Sequence, residues 1–204
     1  KEVVGIEVDI MELICEKLGV ELEIVQMDFD SVLLGIQSAK YDCGMSGITA
    51  SDDRKENMLF TTPYYNAAQV IVVKADSTIT TKADLEGKKI VVQSGTTAEE
   101  YCLAQNYTVE SLESNLDPKE SLMSGRVDAW VVDDLTAADM CKGDDTVKIL
   151  DEAMTTEPYA FAFAFGSEDL VEEINKILAD LKADGTIKAI FDKYEAPYTA
   201  PEAE

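Results

Sequence analysis

The sequence predicts an α/β protein. Three observations carry that reading: strands alternate with helices in two successive blocks, a long apolar run follows each block (67–75 and 157–165), and two helices close the chain. The first block begins with Ile10, Met11, Ile14 and Leu18 at helical spacing over residues 7–18, with Gly19 as the C-cap. VELEIVQM then alternates as a strand does. Asp30 and Ser31 can cap a second helix to about Ala39, and YDCGMSG reads as a buried strand ending in small residues. The second block reads as strand KKIVVQ, helix TTAEEYCLAQ, a strand near 108–112, helix PKESLMSG, strand RVDAWVV and a helix over 134–142. Asp117 followed by Pro118 is a helix start, because proline at the first helical position loses no hydrogen bond. Such alternation favours parallel pairing. The closing helices span about 168–183 and 186–194 and break at Gly185, and the tail EAPYTAPEAE is expected to fray. Spacing alone leaves two readings of the apolar runs: extended crossings between two lobes, or core strands of a single sheet.

Composition narrows the function classes. Forty-one acidic against 17 basic residues give a formal charge of −24, whose field repels phosphate backbones and disfavours nucleic-acid binding. No apolar run approaches the ~20 residues needed to span a bilayer. The chain starts at Lys1 inside a structural pattern, which fits either a cytosolic protein or one whose leader was removed. Cys15, Cys43, Cys102 and Cys141 have no CxxC spacing and there is no histidine, so a structural zinc site is not expected. Buried thiols, or one bridge within each half of the chain, are the open alternatives. The acidic pairs at 52–53, 133–134 and 144–145 lack the loop pattern that calcium needs and read as solvated faces.

One segment carries more chemistry than the others. In YDCGMSGITASDDRKENMLFTTPYY a strand ends in small residues, the turn Gly47-Ile48-Thr49 follows, and Arg54 comes five residues after Thr49. A guanidinium offers a planar fork that fits a carboxylate in two parallel hydrogen bonds, so the segment reads as the acid-recognising end of an amino-acid site. A surface ion pair with Asp52, Asp53 or Glu56 is the other reading. Gln93, Ser94, Gly95, Thr96 and Thr97 lead from a strand into a helix, whose free N–H groups suit an anion or are simply capped. Asp133 stands at the carboxyl end of VDAWVV, where ligands of open α/β sheets collect, while it or Asp134 could instead cap the next helix. Trp130 reads as core. Tyr64 and Tyr65 are weaker candidates for lining the site.

The succession GIEVDIMELICEKLG, MDFDSVLLGIQSAKYD, SGIT…R…PYY, DLEGKKIVVQSGTTAEEY, SGRVDAWVVDD and LKADGTIKAIFDKY resembles the family 3 extracellular solute-binding proteins, the polar-amino-acid receptors of ABC importers. The resemblance runs from about Val4 to Tyr194. It implies the type II periplasmic-binding-protein fold, with two lobes joined by two hinge strands that close on a ligand. Lobe 1 would comprise residues 1–67 and 160–204 and bind the carboxylate; lobe 2 would comprise 68–159 and bind the ammonium. The family's usual first strand of lobe 1, with a loop bearing a cleft aromatic, has no counterpart before Gly5.

Residue by residue, the resemblance gives Arg54 the ligand carboxylate, with Thr49 adding a hydroxyl and a backbone N–H. Gly47 offers its carbonyl to the ligand ammonium, and Asp133 faces the same ammonium from the other lobe. The Thr97 amide, in the loop with Thr96, goes to the carboxylate; Gln93 approaches the side chain, and Phe29 covers one face of the ligand. The implied partners are a free amino acid, polar or basic by preference, and a membrane ABC permease. No cofactor, metal or catalysis is implied, and the protein is expected to be an extracytoplasmic monomer, in the periplasm or tethered outside a Gram-positive membrane. Two alternatives share the fold: a cyclohexadienyl-type dehydratase, which needs a placed general acid, and the sensing module of a receptor.

Overall fold

In the computed structural model residues 3–201 are described. The chain divides into two compact units. One draws on the chain up to Met27, on Ser31–Asn66 and on the chain from Pro158 onward; the other comprises Asp28–Asp30 and Ala67–Glu157. Expectations for residues 1, 2 and 202–204 lie outside the described residues.

The second unit is built on one five-stranded sheet: β3 (Gln69–Lys74), β4 (Lys89–Gln93), β5 (Thr108–Leu112), β6 (Ala129–Asp133) and β7 (Val147–Ile149), in the order β5-β4-β6-β3-β7. β4 runs parallel to β5 and β6, as the strand–helix alternation predicts, whereas β3 is antiparallel to both β6 and β7. The sheet is therefore mixed. The first apolar run enters it as β3 and is buried on both faces, which is why it reads as continuous rather than alternating. Val70, Val72, Val91, Trp130 and Val132 face one side, with Leu122 of α5 (Pro118–Met123) and Ala137 of α6 (Asp134–Met140). Ile71, Val73, Ile90, Val92 and Val131 face the other, against Ala98 and Cys102 of α4 (Thr97–Ala104).

The first unit packs α1 (Ile6–Leu18) against α7 (Glu168–Ala183) and α8 (Thr186–Lys193). Gly19 caps α1 in a left-handed conformation at φ 71°, as its position predicts. Here the second apolar run returns as β8 (Glu157–Tyr159) and β9 (Ala162–Phe163), and β9 pairs antiparallel with β1 (Leu59–Phe60). β8 pairs with β2 (Tyr65–Ala67), and the chain passes between the units inside these two strands. α2 (Phe29–Gln37) and the single turn α3 (Asp52–Lys55) complete the elements.

Several expectations are corrected. VELEIVQM forms no strand: residues 20–28 have no ladder partner, and alternation without a neighbouring backbone does not make a strand. They border a groove of about 820 Å³ lined also by Met11, Ile14, Ile36 and Phe163. YDCGMSG is no strand either and contributes only one isolated bridge, Gly44 to Ala162, with a second just beyond it, Thr49 to Tyr159. α2 starts at Phe29, ahead of the expected Asp30–Ser31 cap, and the Asp117 side chain makes no capping bond to α5. The tail does not fray at once, since Thr199 accepts from the Asn66 N–H at 2.9 Å and Tyr198 lies 4.9 Å from the Phe191 ring.

All four cysteines are free. Cys102 and Cys141 pack in clusters on opposite faces of the five-stranded sheet, which rules out a bridge between them in this fold. Burial pushes the Cys102 thiol up to about 12.

Trp130, the one tryptophan, is fully buried beside Leu122 and so reports on the second unit. Leu122→Ala is expected to cost about 2–5 kcal/mol. Urea unfolding followed by tryptophan fluorescence should show the transition at lower denaturant; an unmoved midpoint would contradict the packing described.

Candidate functional site

In the first unit the site is built on a non-local framework. The turn that carries Gly47, Ile48 and Thr49 is held by returning residues: Ala160 N–H donates to the Ile48 carbonyl at 3.0 Å and Ala50 N–H to Pro158 at 2.9 Å. Ile48 itself is fully buried, so its side chain serves the core. Gly47 has φ +58°, and a Cβ there would come within 2.9 Å of the Tyr159 ring, so both backbone and space require glycine. Ser51 caps α3 by accepting from the Arg54 N–H. Arg54 is 7% exposed and donates from Nη1 to the Thr49 carbonyl at 3.0 Å. It is not the solvated ion pair of the alternative reading; Asp52 pairs with Lys55 instead.

A residue that the sequence did not single out completes this cluster. Glu7, in the first turn of α1, accepts from the Gly47 N–H at 3.0 Å and from the Tyr64 hydroxyl at 2.7 Å. Burial raises its carboxyl above the ordinary value of 4.5, against the pull of those two donors. Burial and the Glu7 charge together push the Tyr64 phenol well up, and the Cys43 thiol is raised by burial, then by Glu7, Cys15 and Asp42. An acid in the first turn of a helix looks like a partner of the helix dipole, and that ordinary role hides it in the sequence.

The second unit assembles its own set. Thr96 is the N-cap of α4, accepting from Glu99 N–H at 3.3 Å and donating to the Gln93 carbonyl at 2.7 Å. Thr97 is the first helical residue; its hydroxyl accepts from Gln69 Nε2 and donates to Glu157, both at 2.9 Å. Glu157 also accepts from the Thr155 hydroxyl. Gln93 ends β4, with Nε2 donating to the Glu113 carbonyl and Oε1 accepting from Asn115. Asp133 ends β6 directly opposite Gln69 of β3 and makes no capping bond to α6, whereas Asp134 accepts from the Leu135 N–H at 2.8 Å. Phe29 is 8% exposed at the start of α2. Buried Gln69 and Glu157 are the unanticipated members here; each lies inside an apolar run, where a polar residue among strand formers was the available signal.

The structure thus gathers Gly47, Ile48, Thr49 and Arg54 in one unit, and Thr96, Thr97, Gln93 and Asp133 at strand and helix ends of the other. None of these residues lines the 820 Å³ groove. Among the described residues no cluster of His, Cys, Asp and Glu could hold a metal ion, and no helix is long and apolar enough to cross a membrane.

A chain that leaves one α/β unit, builds a second and returns has the architecture of the periplasmic-binding-protein class. The crystal structure of the substrate-binding protein of an amino acid ABC transporter is similar to it, with a TM-score of 0.89 and 38% identity over 95% of this chain and 88% of that one. Residues 1–197 match the bacterial extracellular solute-binding proteins, family 3, and the chain belongs to that family. Among curated relatives it is 33% identical to the L-cystine-binding protein TcyJ of Escherichia coli K12, over 93% of this chain and 73% of that protein. It is 31% identical to ABC transporter arginine-binding protein 1 of the same organism, over 95% of this chain and 82% of that protein.

The raised carboxyl of Glu7 makes a stability prediction. Between 4.5 and its folded value the native state binds more protons than the unfolded chain, so this group's contribution to stability falls as pH rises through that window. Glu7→Gln lacks the contribution. The melting temperature of Glu7→Gln relative to wild type should therefore increase from pH 4 toward neutrality, and a difference constant with pH would refute the assignment.

Proposed function

We propose that this protein binds a free amino acid outside the cytoplasm and hands it to an ABC-type permease, by binding alone and without turnover. Arg54 and Thr49 take the ligand carboxylate, with the Thr97 amide and the Thr96 loop adding N–H donors, and Gly47 and Asp133 take the ammonium. Gln93 and Phe29 approach the side chain. The observation that carries this reading is the buried guanidinium of Arg54, which donates to the Thr49 carbonyl, in a chain of the solute-binding family. A guanidinium so placed is oriented before any ligand arrives, and its fork fits a carboxylate.

A basic ligand suits the −24 charge, since the summed field draws cations toward the surface. The relatives named for arginine support L-arginine as the first candidate. The protein works as a monomer, in the periplasm or tethered outside a membrane.

A thermal-shift series with L-arginine, L-glutamine and L-cystine tests the ligand class, because a ligand that binds only the native state raises the melting temperature by mass action. At least one should shift it; three flat results would overturn the reading. Arg54→Ala should weaken L-arginine binding about a hundredfold, the loss of a bidentate charge-assisted pair. Calorimetry on a variant with native circular dichroism decides it, and an unchanged affinity would sink the carboxylate assignment.

A further inference from the structure

We propose that Glu7 is the positioning residue of the turn that receives the ligand carboxylate, holding the Gly47 N–H and the Tyr64 hydroxyl so that Gly47, Ile48 and Thr49 are set before ligand binds. The inference rests on the carboxylate reading above and adds to it a residue outside the turn.

Three features of the geometry lead there. First, the turn is anchored at its ends, by Gly44 to Ala162 and by Thr49 to Tyr159, while between them the backbone adopts the left-handed conformation of Gly47. Ladder bonds do not reach that point. The Gly47 N–H is instead taken by a side chain from a different element, at 3.0 Å. Second, the Glu7 carboxylate is itself fixed. Its other oxygen accepts from Tyr64, whose ring is buried and stacks on Phe161 with centroids 4.9 Å apart. A carboxylate held by two donors from two segments transmits the position of one to the other. Third, the space a Cβ would take at Gly47 is filled by the Tyr159 ring, 2.9 Å from it, so the glycine meets a ring as well as a carboxylate. Releasing either grip lets the turn sample other conformations, and a site that must be ordered during binding binds more weakly.

The charge-assisted bond also explains why a carboxylate is tolerated where its ionisation is disfavoured. A bond between an ionised acceptor and a backbone N–H is stronger than a neutral one, which offsets part of the cost of burying the group. An amide at the same place keeps an acceptor oxygen for Gly47 but no charge.

The test compares Glu7→Ala with Glu7→Gln by amide hydrogen exchange in the protein without ligand, and by calorimetry with L-arginine. In Glu7→Ala, exchange at Gly47 and Ile48 should accelerate about tenfold or more while the amides of β3 and β6 keep wild-type rates. Affinity for L-arginine should fall about tenfold or more, the scale of a lost hydrogen bond to a charged group. Glu7→Gln should return both to within about threefold of wild type. Tyr64→Phe removes the second donor and should accelerate Gly47 exchange as well, and it serves if Glu7→Ala does not fold. Unchanged Gly47 exchange in Glu7→Ala or Tyr64→Phe overturns the proposal, as do equal losses in the Ala and Gln variants, because an amide oxygen can still accept from Gly47. Arg54→Ala runs beside them: wild-type affinity in that variant denies the carboxylate reading, whereas weak binding by Arg54→Ala with full binding by Glu7→Ala denies only the role of Glu7. The exchange arm needs no ligand and decides the hold on Gly47 whichever solute binds.

Discussion

The first unit depends on the return of the chain at residues 158–163. That segment closes on a stretch about a hundred positions earlier, through Gly44 and Ala162 in both directions, Ile48 with Ala160, Ala50 with Pro158, Thr61 with Phe161, and Tyr64 with Tyr159. Without it the turn at Gly47 and the single helical turn of Arg54 have no sheet beneath them. Contacts of such sequence separation carry a loop-closure entropy cost. The chemistry of the first unit is therefore held by bonds that span the whole stretch of the second unit in sequence.

How much of this was legible depends on how local each feature is. The passage from strand to helix at 93–97 reads locally, with a capped helix start as one of its two readings, and the structure shows Thr96 as that cap, accepting from an amide three residues on. β6 reads correctly from its own segment, whereas spacing leaves the run at 67–75 open between a crossing and a core strand, and the structure makes most of it the core strand β3. VELEIVQM misled for the converse reason: its alternation is a property of the segment, but a strand is a property of two segments. β7, at three residues, is too short to show a period. Around the site, the type and spacing of Arg54 and Thr49 were visible, since their bond spans five residues. Glu7 was not, because its partners lie 40 and 57 residues away and its own neighbourhood offers a commonplace explanation for an acid.

Electrostatics divides into two scales. The net charge of −24 acts at long range, on solubility and on which solutes are drawn near, and says nothing about where they would be held. Short-range order comes from few contacts, several of them with a backbone partner: Thr49 carbonyl to Arg54, Gly47 N–H to Glu7, Gln93 carbonyl to Thr96. Backbone partners are fixed by the fold and carry no rotamer freedom of their own. Side chains tied to them lose little further entropy when a solute arrives.

The pairing of β2 with β8 has a genetic corollary. Apart from three residues, the second unit is one uninterrupted stretch whose two ends leave on neighbouring strands, whereas the first is stitched from separate pieces. An insert with adjacent ends can be exchanged as a cassette while its host keeps its own topology. Shuffling by recombination is thus open to one half of this molecule and closed to the other.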